Sequence, residues 1–89
     1  MPTISMFYGI IIYMYFFDDK RHHVPHVHAE YAEHTAVLAI ATGEVLDGHL
    51  PSKQLKLTQA WMAIHEDDLF ADWKLAIQGQ EVFRIEPLK

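Results

Sequence analysis

Cysteine is absent from the 89 residues, which removes disulfides and thiolate metal sites and leaves histidine and carboxylate as the strong ligands a metal could find. Basic residues are scarce. Seven lysines and arginines stand against twelve aspartates and glutamates, a net charge of −5 with histidine neutral. Broad non-specific binding of nucleic acid needs a basic face to displace counterions, so any contact with RNA has to be local. Long hydrophobic runs are missing too: the longest apolar stretch, MFYGIIIYMYFF from Met6 to Phe17, falls short of the roughly 20 residues that cross a bilayer. Neither a basic leader nor a small-residue cleavage site accompanies it, and no membrane association and a cytoplasmic location are the expectations. The chain has no glycine-rich phosphate loop and no serine in an elbow motif, which argues against nucleotide-driven and serine-hydrolase chemistry.

What is present is half apolar (51%), enough for one small core, so residues 1–89 are expected to form a single domain. The isoleucine, tyrosine and phenylalanine of residues 4–17 suit a buried pleated surface and predict a central strand, with Gly9 as a bulge. A polar connector, DDKRHH, runs from Asp18 to His23. Beyond it, His26–Tyr31, Thr35–Ala41 and Val45–Leu50 read as further strands. Ser52 is placed to cap a helix, after which Leu57, Trp61, His65, Leu69, Trp73 and Ile77 recur every four residues, the mark of a buried helical stripe. The acidic HEDD at His65–Asp68 leaves both one bent helix and a helix pair open, because carboxylates favour a helix start. Gly79 ends the helical part, and EVFRIEP closes the chain as a short strand or an extended tail. Strands followed by helices predict an α+β fold, an antiparallel sheet of about four to five strands with one or two C-terminal helices on one face.

The chemistry concentrates in HHVPHVHAEY, residues 22–31, which holds four of the seven histidines. On a strand, His26, His28 and Glu30 share one face, about 6 to 7 Å apart at the backbone. Such a pair suits two roles. As acid and base, His28 and His26 could take the proton of an RNA 2′-hydroxyl and protonate the leaving 5′-oxygen with no metal or other cofactor, because imidazole titrates near neutrality. Lys20 and Arg21 would then hold the phosphate, and Tyr31 or Tyr8 could lend it a hydroxyl. As ligands, the same histidines could bind a divalent ion with Glu30, His34 or His49. A histidine-rich strand can also be simply solvated. His22 and His23 read as loop residues, His65 as a core or boundary histidine, and Trp61 and Trp73 as packing against the sheet.

With MPTIS and FYGI at the start, PHVHAEY in the middle, TGEVLDGHLP next, the Trp61 to Trp73 helix, and IEPL at the end, the chain resembles a family of small bacterial proteins catalogued as domain of unknown function 4160. Met6 stands where the family usually has arginine, and Val24 where it has a second proline. The family's PHxHA element falls on Pro25, His26, His28 and Ala29. The resemblance implies one half of a toxin–antitoxin pair, partnered by a second small protein resembling domain of unknown function 2442. Toxins of such systems are commonly ribonucleases, so a toxin-like ribonuclease is the leading expectation. A non-catalytic neutraliser or adaptor, or a divalent-metal-binding protein, are the alternatives. The high apolar fraction is also compatible with an oligomer.

Overall fold

The computed structural model describes residues 2–20 and 23–89; Arg21 and His22 lie outside the described residues. Five strands, β1 (Thr3–Phe7), β2 (Ile10–Tyr13), β3 (His26–Tyr31), β4 (His34–Ala39) and β5 (Val45–Gly48), precede two helices, α1 (Ser52–Ile64) and α2 (Glu66–Ile77). The strands form one antiparallel sheet in chain order, a meander with β3 at its centre. This is the α+β fold that the order of strand and helix patterns implies.

The apolar run expected to be one strand is a hairpin. Phe7 pairs with Ile10 across a two-residue turn in which both Tyr8 (φ 49°) and Gly9 (φ 78°) are left-handed, the conformation whose twist suits a tight hairpin. Gly9 is therefore a turn residue and not a bulge. Its missing Cβ also leaves room for the Tyr31 ring, which would stand 3.3 Å from a methyl there.

Cross-strand partners share a face, so the register sorts the sheet into two sides. Ile12, Ala29 and Ala36 are buried on the side that faces the helices, together with Phe7, Ile10, Val27 and Leu38. Met6, Ile11, Glu30 and Thr35 align on the other side, as do Tyr13, His28, Val37 and Asp47.

Trp61, Met62, Leu69, Trp73 and Ala76 carry the helical side of the core. The stripe is continuous in sequence but broken in structure: His65 (φ −111°, ψ 26°) ends α1 and begins α2. Glu66, Asp67 and Asp68 occupy the first turn of α2, where the helix dipole favours them. Residue 51, Pro51, takes the position before α1, and Ser52 is its first residue with no side-chain cap bond. Past Gly79 the chain adopts no regular structure. It nevertheless packs as a strap: the amide of Ile85 donates to the Ile4 carbonyl (2.9 Å), the Trp61 indole donates to the Glu86 carbonyl (2.8 Å), and the Phe83 amide donates to Asp72 (3.0 Å). Among the described residues, no helix is long and apolar enough to cross a membrane.

A histidine–histidine–aspartate cluster on the central strand

β3 is flanked by two strands on each side, so its side chains project from the most rigid part of the sheet. His26 and His28 alternate with the fully buried Val27 and Ala29, with ring centroids 5.3 Å apart. They are not equivalent. His26 is 1% exposed and packs its ring 4.8 Å from that of Trp73 at the end of the sheet. His28 is 15% exposed and sits among rings: Tyr13 stacks on it across the strand pair at 5.2 Å, and Tyr15 meets it edge-on at 4.7 Å.

Both imidazoles converge on one carboxylate oxygen. The Oδ2 of Asp18 lies 2.8 Å from His26 Nε2 and 2.7 Å from His28 Nε2. Burial pushes the Asp18 carboxyl up, but hydrogen bonds from His28 and His26 and their charge outweigh it, and the group lies below its ordinary range. The other nitrogen of His26, Nδ1, stands 2.8 Å from the Val24 carbonyl. A carbonyl only accepts, so Nδ1 carries a hydrogen and Nε2 is the atom turned to Asp18.

The carboxylate is held there by a distant anchor. Phe17, directly before it, donates its amide to the Ala76 carbonyl at the end of α2 (2.9 Å) and lays its ring against Gly79, where a Cβ would approach within 2.3 Å. Its backbone is left-handed (φ 57°), a conformation that costs a bulky residue about 1 to 3 kcal/mol. The strand entry is fixed as well: Pro25 holds Val24 out of helical conformations and accepts the Ile40 amide at 3.0 Å.

Beside His28 a groove of about 350 Å³ opens on the uncovered side of the sheet, lined by Tyr13, Tyr15, Thr35, Val37 and Asp47 among others. Burial, followed by the charge and hydrogen bond of Tyr15, pushes the Tyr13 phenol up to about 12.

The structure thus joins His26 and His28 and sets Tyr31, Glu30 and His34 apart from them. Tyr31 lies at the far end of β3, on the side of Val27 and Ala29, with its ring over the Gly9 turn. Lys20 is exposed in the loop before the strand, and Arg21 lies outside the described residues. Glu30 faces Ile11 and Thr35, a step further along the strand. His34 pairs with His49, ring centroids 5.6 Å apart, away from the cluster. Asp18, Tyr13 and Tyr15 are the members that sequence reasoning missed. A YxY spacing that starts at the last residue of β2 and runs just beyond it, matching the HxH of β3, was the available signal for the tyrosines.

Fold and cluster together define a class: a small α+β protein in which a five-stranded meander, backed by a helix pair, presents two histidines and an aspartate at its centre. The chain belongs to the family described as Domain of unknown function (DUF4160), whose model matches residues 9–74 and so spans all five members of the cluster and its aromatic surround. No curated protein and no solved structure matches it.

Proposed function

We propose that the protein is the toxin-like member of a bacterial toxin–antitoxin pair and acts on RNA by acid–base chemistry centred on His28. The observation that carries this reading is the Asp18–His28 hydrogen bond at the wall of the groove. An aspartate that accepts from Nε2 orients the ring and leaves the lone pair of the neutral form on Nδ1, the arrangement that prepares an imidazole as a general base. The base takes the 2′-hydroxyl proton, the 2′-oxygen attacks phosphorus, and the 5′-oxygen leaves with a proton. His26 has both nitrogens engaged, with Val24 and Asp18. Its part is positioning: it shares the carboxylate and fixes it, and the second proton has to be handled by His28 in turn or by solvent. Lys20, exposed on the loop that carries Asp18, is the cation assigned to a phosphate, with Arg21 next to it in sequence.

Half-exposed apolar side chains border the same loop: Phe16, Phe17 and Val24. They suit the seat of a protein partner, here the second small protein resembling domain of unknown function 2442, which would cover the groove and silence it. The test is induction of the chain alone. Growth arrest with RNA cleavage is expected, with cleavage by the purified protein about 100- to 10,000-fold slower in His28→Ala. Unimpaired growth and intact RNA with the parent chain would overturn the toxin reading and leave the acidic chain as the neutraliser or an adaptor.

A further inference from the structure

We infer that Asp18, His26 and His28 form a binding site for a divalent transition ion of the zinc class, independent of any action on RNA. His26 Nε2, His28 Nε2 and an Asp18 oxygen all lie within 4.8 Å of one another. Two imidazoles and a carboxylate are a donor set that zinc accepts, with solvent in the fourth place. His28 and Asp18 keep 15% and 23% of their side-chain surface exposed, so water and an incoming ion reach the cluster from the groove side.

Three features make this a built site and not three polar groups that happen to meet. The first is the bond from His26 Nδ1 to the Val24 carbonyl. Metal-binding histidines are oriented in this way, by a backbone or carboxylate acceptor on the nitrogen that does not bind the ion. The second is convergence: His26 and His28 both turn Nε2 toward the same Asp18 oxygen, at 2.8 and 2.7 Å, so the three donor atoms meet at one point. The third is Phe17, left-handed and tied by its amide to the Ala76 carbonyl, which anchors the chain directly before Asp18. Strain persists where the surroundings impose it, and it gathers at functional sites.

Ligands at 2.0 to 2.2 Å from a tetrahedral zinc lie roughly 3.3 to 3.6 Å from each other, against 2.7 and 2.8 Å for the two contacts with Asp18 and no more than 4.8 Å for any pair of the three ligand atoms. A retreat of the loop carboxylate by about half an ångström, with the two imidazole nitrogens drawing together, reaches that spacing. Magnesium and calcium, which take oxygen ligands, do not suit two nitrogens.

The test uses untagged full-length chain, zinc alone as the probe, and competition with a chromophoric chelator at neutral pH. One zinc per chain is expected, with cobalt giving the visible bands of a four-coordinate nitrogen and oxygen site, and with magnesium failing to compete. Asp18→Asn and His28→Gln should each weaken zinc at least about 100-fold while keeping the parent's circular dichroism. Should Asp18→Asn fail to fold, His28→Gln, altered at the accessible edge, still decides. The His34→Ala/His49→Ala variant removes the other histidine pair and should bind as the parent does. Absence of stoichiometric zinc, or binding that survives His28→Gln and is lost with the His34 and His49 pair, would overturn the inference. Neither result depends on RNA: a chain that cleaves RNA but takes no zinc leaves the proposed function standing, and one that takes zinc without cleaving RNA leaves the site standing.

Discussion

Two carboxyl groups are displaced in opposite directions, and each leaves a mark on stability. Asp18 is held below its ordinary range by the two histidines, so its contribution is present above the unfolded value near 3.9 and is lost as pH falls through the folded value. Asp72 behaves the other way. It is 2% exposed, with Oδ1 accepting from Phe83 and Oδ2 buried without a partner among the described residues. Burial raises its carboxyl, the Phe83 amide lowers it, and the nearby charge of Asp68 adds to the rise, leaving it above the usual value. The folded state then binds the proton more tightly than the unfolded one. Ionisation of Asp72 at neutral pH is a cost that disappears as the solution is acidified below the folded value. Asp72→Asn keeps a carbonyl for Phe83 and removes the charge. Thermal unfolding of variant and parent between pH 7 and pH 4 should show the difference in melting temperature moving in the parent's favour as pH falls.

At the scale of elements, the turns carry more of the specification than the strands do. Gly48, at the end of β5, has φ 78°, and a Cβ there would stand 2.2 Å from the Thr35 carbonyl oxygen. Gly48→Ala adds left-handed strain to a clash with backbone that cannot step aside. A loss of about 2 to 3 kcal/mol is expected, seen as a fall of roughly 10 °C or more in the melting temperature. The strands from His26 onward and the helical part were legible because alternation and a four-residue stripe record which side chains meet the core. The β1–β2 hairpin was not: Tyr8 at its turn belongs to an unbroken apolar run, and a tyrosine in a left-handed turn leaves no compositional mark. The break at His65 was legible only as an option, since the stripe of Trp61, Leu69 and Trp73 continues across it. The HxH pair could be read from period-two spacing. Asp18 could not, because its position depends on Phe17 reaching Ala76, a contact between a loop and a helix end with no periodicity to betray it. Tyr31, by contrast, was legible from the same alternation, which puts it with Val27 and Ala29 on the helical side of β3, away from the histidines.

At the scale of the whole molecule, the strap beyond α2 ties β1, α1 and α2 together from outside the core they share. Val82, Ile85 and Leu88 pack against the core, and hydrogen bonds tie the segment to β1, α1 and α2. Three partly buried side chains at about 1 kcal/mol each, with three hydrogen bonds of similar size, amount to roughly 6 kcal/mol. That is comparable to the entire stability expected of a domain of this length. A chain ending at Gln80 should keep much of its far-ultraviolet circular dichroism but lose near-ultraviolet signal and bind a hydrophobic dye. Because Ile85 meets Ile4 and Glu86 meets Trp61, the strap closes a loop between the first strand and a segment at the far end of the described sequence. Contacts between residues so distant along a chain carry the largest loop-closure cost and are the slow ones to form. The strap is therefore expected to dock last, onto a sheet and helix pair already assembled, and to be the first part to let go.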